Sequence, residues 1–234
     1  MTATGIVGLL IGLVASALLT SMASAATGME ILNSSCSNCH NLTGPSPQTL
    51  SELWLRKGPD LFYAGNKYRQ EWLEEWLKNP RRIRPAGMFY GNHIKPGEDH
   101  DVVDKATLIQ HPKLSGEEAK EVAQELMTLR ARSDLIKPGA YQEGTISLSM
   151  GELMFDKFRG CLACHQIEPG YGGVSGPEVY TVAKRLQADY LISFMRNPVA
   201  WEPRTFMPAR EMKEQDLQKF VHYFRALSEE KFNE

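Results

Sequence analysis

Charged side chains are absent from the first 29 positions of this 234-residue chain. Elsewhere no long run carries a single sign of charge, and the formal net charge is only -2. Blocks of like charge are typical of solvating tails and of basic segments that bind nucleic acid. Neither class is indicated here, so we expect no nucleic-acid partner.

The uncharged start of the chain is apolar and rich in small residues. It ends in Ala23-Ser24-Ala25, a small-x-small pattern typical of signal-peptide cleavage sites. We therefore predict a signal peptide over residues 1–25 and a periplasmic protein. The segment has no Lys or Arg before its apolar run. That run, residues 5–22, has roughly the length that spans a bilayer, so an uncleaved membrane anchor is the alternative.

Alternation of apolar and polar residues, the pattern of half-buried strands, is also absent over any useful length. Two segments instead have large apolar residues along one face of a helix: EWLEEWLKNP from Glu71 and DYLISFMRNP from Asp189. Both end at Asn-Pro, because the residue before a proline rarely adopts helical backbone. The sequence predicts an all-α protein.

These two segments belong to an internal repeat, since Asp189 stands 118 positions after Glu71. A final amphipathic helix is predicted in each copy, LSGEEAKEVAQELMTL and EMKEQDLQKFVHYFRAL, and in the first Ser115 and Glu118 have the spacing of a capping box. We predict two similar domains, residues 26–138 and 139–234. The first carries an insertion at 89–113 that has no counterpart in the second.

Cysteine is scarce, and its placement is informative. The chain has four cysteines, all within two C-x-x-C-H motifs, Cys36–His40 and Cys161–His165. A redox dithiol of this spacing belongs near a strand–helix–strand pattern, which is missing. In zinc fingers the histidines lie many residues beyond the cysteines, whereas here they are adjacent.

Covalent haem accounts for every part of both motifs. The two thiols form thioethers with the haem, and the adjacent histidine becomes the proximal ligand of the iron. We therefore predict two covalently bound haem c groups. Their attachment residues are Cys36 and Cys39 with His40 in the first domain, and Cys161 and Cys164 with His165 in the second.

With these motifs, the Asn-Pro helix ends and a methionine after each helix, the chain resembles the dihaem class I cytochromes c, such as the cytochrome c4 group and the haem subunit of flavocytochrome c. The resemblance covers essentially the whole mature chain. It implies two tandem class I cytochrome c domains, in which the final helix packs across the first. It also implies a supporting Gly-Pro turn beside each histidine, and Gly44-Pro45 and Gly176-Pro177 follow the two motifs.

In this family a methionine from a later loop takes the sixth position on the iron. The resemblance thus implies Met88 as a ligand in the first domain and Met207 in the second. Met207 lies in FMPA, close to the family's Met-Pro pattern, whereas Met88 is followed by phenylalanine. His93, His100 and His111, all in the insertion, are alternative sources of the first sixth ligand.

The resemblance implies an electron carrier and not an enzyme, because six-coordinate iron leaves no open position for a substrate. Its partners would be redox proteins that serve as electron donor and acceptor. One alternative is a haem-bearing subunit of a larger membrane or periplasmic oxidoreductase complex, with the insertion as the contact. Another is a dihaem enzyme such as a peroxidase, which requires an open distal side that only the first domain could offer.

Overall fold

The computed structural model describes residues 26–232 of the chain. The predicted signal peptide, residues 1–25, lies outside the described residues. Helices dominate the described part, and its strands are few and short. No helix within residues 26–232 combines the length and the apolar character that a membrane span requires.

The first half of the described chain begins with α1 (Gly28–Ile31), which runs directly into a π-helical turn, Leu32–Cys36. Four further helices follow: α2 (Leu50–Leu55), α3 (Ala64–Lys67), α4 (Gln70–Lys78) and α5 (Gly116–Thr128). Single 3₁₀ turns lie at Tyr90–Asn92, Lys105–Thr107 and Ser133–Leu135.

The second half opens in the same way. Helix α6 (Leu148–Leu153) also continues as a π-helical turn, Met154–Phe158, and a 3₁₀ turn follows at Cys161–Ala163. Four further helices complete this half: α7 (Val182–Arg185), α8 (Ala188–Arg196), α9 (Pro198–Trp201) and α10 (Glu214–Glu229).

The structure confirms the helices predicted from periodicity. Helices α4 and α8 stop immediately before Asn79 and Asn197, as expected from the prolines that follow. The capping box of α5 is also present: the Glu118 amide donates to Ser115 Oγ at 3.3 Å, and the Ser115 amide donates to Glu118 Oε2 at 2.9 Å.

The described part of the chain is rich in helix but is not purely helical. An antiparallel hairpin of β1 (Ile94–Lys95) and β2 (Val102–Val103) lies in the insertion. A second hairpin, β3 (Gln166–Glu168) with β4 (Tyr171–Gly172), directly follows the second C-x-x-C-H motif. The all-α prediction missed both, because strands of two or three residues are too short to show alternation.

The first and last helices of each half pack against each other, α1 on α5 and α6 on α10. A glycine lies at each contact. A Cβ at Gly28 would overlap the backbone carbonyl of Glu121, and one at Gly151 would overlap the ring of Tyr223. Glycine is therefore required at both crossings, because any side chain would push the helices apart.

The two halves meet at a short backbone bridge between Tyr68 and Leu186. The Arg69 amide donates to the Arg185 carbonyl, and the Gln187 amide donates to the Lys67 carbonyl, both at 2.9 Å. Residues 67 and 69 correspond to 185 and 187 at the offset of the sequence repeat, so the halves exchange equivalent bonds. One cluster of buried hydrophobic residues extends across both halves.

Candidate functional site

Both C-x-x-C-H motifs fold as the same tight turn. In the first, the amides of Cys39 and His40 both donate to the Cys36 carbonyl at 3.0 Å. In the second, the amides of Cys164 and His165 both donate to the Cys161 carbonyl at 3.1 Å. Each turn therefore holds two thiols and one imidazole close together at the end of the first helix of its half.

All four cysteines are free thiols. Cys36 and Cys161 are half-buried, and burial raises the pKa of both thiols. Cys39 and Cys164 are exposed. No group of three or more His, Cys, Asp or Glu side chains within residues 26–232 is arranged to hold a metal ion by itself.

The histidine of each motif is oriented by a proline carbonyl. Nδ1 of His40 lies 2.8 Å from the Pro59 oxygen, and Nδ1 of His165 lies 2.7 Å from the Pro177 oxygen. A carbonyl can only accept, so Nδ1 carries the proton and Nε2 is the nitrogen available to a metal. Burial lowers the pKa of both rings, which favours the neutral form that binds metals.

The Gly-Pro pair beside the first histidine differs from the one expected from the sequence. Pro59, and not Pro45, holds the ring of His40, so Gly58-Pro59 is the counterpart of Gly176-Pro177. A Cβ on Gly58 would lie 2.5 Å from Cε1 of His40, and one on Gly176 would lie 2.6 Å from Cε1 of His165. The assignment to Gly44-Pro45 was wrong because the loop after the first motif is longer and contains α2.

A buried acid follows each of these Gly-Pro pairs, and each is neutralised by an arginine. Asp60 lies 3.5 Å from the guanidinium of Arg56, and Glu178 lies 3.3 Å from that of Arg185. An unpaired buried charge is costly, so each arginine is required where its acid is buried. The surroundings of both histidines therefore hold paired charges.

The two predicted methionine ligands lie in different surroundings. Met207 is half-buried, packs against the hydrophobic core between α9 and α10, and its amide donates to Thr205 Oγ1 at 3.2 Å. Met88 is also half-buried, on the loop after α4, and it follows Gly87, whose φ is 73°.

The three histidines of the insertion are separated by the structure. Nδ1 of His93 lies 2.8 Å from Thr107 Oγ1, and His100 is exposed between β1 and β2. His111 alone of these three has a ring contact with His40, at a centroid distance of 6.1 Å. The sequence offered His111 as one of three alternatives, and only the tertiary structure distinguishes it.

Comparison of the chain with protein-family models, with curated proteins and with solved structures finds no match in any of the three. The function is therefore argued from the residues and the geometry of the two turns.

Proposed function

We propose that the protein is an exported dihaem c-type cytochrome that carries electrons between redox partners, with one haem c attached at each C-x-x-C-H turn. The observation that carries this proposal is that both turns present the same donor set. Each combines two free thiols with a neighbouring imidazole whose Nδ1 is held by a proline carbonyl. These are the groups that covalent haem attachment and proximal ligation require.

Cys36 and Cys39 would attach the first haem, with His40 as its proximal ligand. Cys161 and Cys164 would attach the second, with His165 as the proximal ligand and Met207 as the sixth. When bound, each haem supplies an iron that gains and loses one electron. Burial around the two turns would limit solvent access to the irons, which is one of the protein's means of setting reduction potential.

The proline carbonyls act on the ligands themselves. By accepting the Nδ1 proton of His40 and His165, they fix the ring orientation and increase the basicity of Nε2. Because Gly58 and Gly176 contact the rings closely, the rings have little freedom to turn away. Both histidines are thus held in one orientation, with Nε2 as the unprotonated nitrogen.

The arrangement of helices supports two tandem class I cytochrome c domains, residues 26–138 and 139–234. In each half the helix that leads to the motif packs across the final helix, which the resemblance to this family implies. The join at residues 138 and 139 falls in the segment between Leu135 and α6. There the amides of Gly139 and Tyr141 both donate to the carboxylate of Asp189 at 2.8 Å.

The haem content tests the proposal directly. The full-length gene is expressed in a host that matures c-type cytochromes, and the purified protein is denatured and weighed. We expect the mass of the polypeptide plus two haems, and a reversible change of the visible spectrum on reduction. A chain that leaves the maturation host without any attached haem would contradict the proposal.

Sequencing the amino terminus of the same protein tests export, since cleavage after Ala25 leaves Ala26 first.

A second candidate function, as the haem subunit of a larger complex, is favoured by an exposed aromatic cluster. Its members are Trp54, Phe89, Tyr90 and Phe206, and Trp54, Tyr90 and Phe206 are 56%, 40% and 58% exposed. Their rings lie within contact distance, as with Trp54 and Phe89 at 4.4 Å and Phe89 and Phe206 at 5.7 Å. Exposed apolar patches often mark interfaces. Purification from the native cell at low salt separates the candidates: a stoichiometric partner supports the subunit, and a free monomer supports the carrier.

A further inference from the structure

We infer that His111, and not Met88, is the sixth ligand of the first haem, so that this haem has two histidine ligands while the second has histidine and methionine. This inference rests on the proposed function, because it concerns a haem attached at Cys36 and Cys39. It would give the two haems unequal reduction potentials, because methionine ligation raises the potential of a haem.

The separation of the two rings matches ligation of one metal by both. A metal–nitrogen bond to histidine is about 2.0 to 2.1 Å long. With the ring centroid about 1.1 Å behind the nitrogen, two imidazoles on opposite sides of one ion have centroids roughly 6.3 Å apart. The centroids of His40 and His111 are 6.1 Å apart, and the ring planes make an angle of 57°.

Both rings also present the same nitrogen. Nδ1 of His111 lies 2.8 Å from the Pro112 oxygen, just as Nδ1 of His40 lies 2.8 Å from the Pro59 oxygen. Since both partners are carbonyl acceptors, Nε2 is the nitrogen without a proton in each ring. Each ring therefore has an unprotonated Nε2 that can bind a metal.

The segment that carries His111 is fixed on both sides. Before it, Arg82 Nη2 donates to the Ile109 carbonyl at 2.8 Å, and after it the Leu114 amide donates to the Leu77 carbonyl at 3.0 Å. The His111 ring contacts Trp76 edge to face, with centroids 4.6 Å apart. The indole of Trp76 is itself held, because its Nε1 donates to the Arg81 carbonyl at 2.9 Å.

The position of His111 relative to the final helix agrees with this assignment. His111-Pro112 lies shortly before Ser115, the residue that caps α5, and Met207-Pro208 lies shortly before Lys213, the cap residue of α10. Aligning the halves on the final helix, with Ser115 opposite Lys213, places His111 opposite Ala209, two positions from Met207. Aligning them on the offset of α4 and α8 places Met88 opposite Phe206, one position from Met207, so spacing along the chain fits both residues and the ring geometry distinguishes them. With His111 as the ligand, most of the insertion, residues 89–113, lies before the ligand in the chain.

The experiment uses the full-length, haem-loaded protein and reads spectra, not activity. The near-infrared absorption and the low-temperature electron paramagnetic resonance of the oxidised wild type report whether each iron has sulfur ligation. We expect the methionine–iron band with the intensity of one haem, beside one bis-histidine signal. Methionine–iron absorption with the intensity of two haems would overturn the inference. This measurement uses the wild-type protein alone.

Variants extend the test. His111→Ala should abolish the bis-histidine signal and allow the reduced protein to bind one carbon monoxide per chain, and added imidazole should restore a six-coordinate spectrum. Met88→Ala and His93→Ala are the matched controls and should leave all signals unchanged. Loss of a ligand signal in Met88→Ala or His93→Ala, with none in His111→Ala, would overturn the inference. Failure of the proposed function is separate, because it appears as absence of attached haem in the wild type.

Discussion

The two halves of the molecule use the same backbone contacts with different side-chain chemistry. Arg84 and Glu202 are equivalent at the repeat offset of 118: Arg84 lies on the loop after α4, Glu202 directly after α9, and each reaches into the other half. Glu202 forms a 3.0 Å ion pair with Arg56, whereas Arg84 Nη1 donates to the Ser175 carbonyl at 2.6 Å. In both halves the equivalent position therefore contacts the other half, but the charge of the side chain at that position differs.

The buried acids show the same divergence. Glu178 is paired with Arg185, which lies seven positions later in α7. Lys67 holds the place of Arg185 in the first half, but it lies over aromatic rings, at 5.5 Å from the centroid of Tyr63 and 5.2 Å from that of Tyr68. Asp60 is instead paired with Arg56. The arginine therefore precedes the buried acid in the first half and follows it in the second.

The largest expected effect separates the two halves by their cysteines. We expect Cys36→Ala with Cys39→Ala to remove the first haem only, and Cys161→Ala with Cys164→Ala to remove the second only. Each thiol pair serves only its own turn. The mass of the denatured protein should show one haem in either case. Loss of both haems from one variant would show that haem attachment in one half depends on the other, and would contradict this prediction.

The next prediction concerns the asymmetric ion pairs between the halves. Arg56→Ala should lower the free energy of unfolding by about 3 to 5 kcal/mol, because it removes the ion-pair partner of the buried Asp60 and of the half-buried Glu202. Arg225→Ala is the control: its pair with Glu143 is exposed, so the loss should be at most about 1 kcal/mol. Urea unfolding measures both, and equal effects would contradict the burial argument.

Acid should affect stability through Glu202. Burial alone would raise its pKa, but Arg56 and Lys67 outweigh burial and lower the pKa to about 2, from an ordinary 4.5. A lowered pKa means that this stabilisation is present above about pH 4.5 and is lost as the pH falls towards 2; it amounts to roughly 3 kcal/mol. Glu202→Gln should therefore flatten the acid side of the stability profile, measured by urea unfolding from pH 2 to 7. A profile parallel to wild type would contradict this.

The smallest expected effect tests whether the two helix crossings are equivalent. Gly28→Ala and Gly151→Ala should each lower the free energy of unfolding by about 1 to 3 kcal/mol, because the added methyl overlaps the facing helix. Gly116→Ala, in the first turn of α5, meets nothing within 4 Å and should be neutral or slightly stabilising. Thermal unfolding would compare all three, and an effect at only one crossing would show that the halves are packed differently.

Features that depend on short spacings could be predicted from the amino-acid sequence alone. The two C-x-x-C-H turns, the capping box of α5 and the ends of α4 and α8 before Asn-Pro all involve residues within four positions of each other. Local backbone geometry fixes such neighbours whatever the rest of the chain does. The repeat, and with it the correspondence of His40 and His165, followed from the same kind of pattern.

The tertiary structure alone decided which distant residues meet. The carbonyl that holds His40 is 19 positions away, whereas the one that holds His165 is 12 positions away, so taking the first Gly-Pro pair after the motif gave the wrong pair. It also brought His111 to His40 and Glu202 to Arg56. Corresponding loops of the two halves differ in length, although they connect helices that pack in the same arrangement. The residues that each loop contacts depend on packing across the whole core. No local spacing encodes that packing, so the sequence could list the candidates but could not pair them.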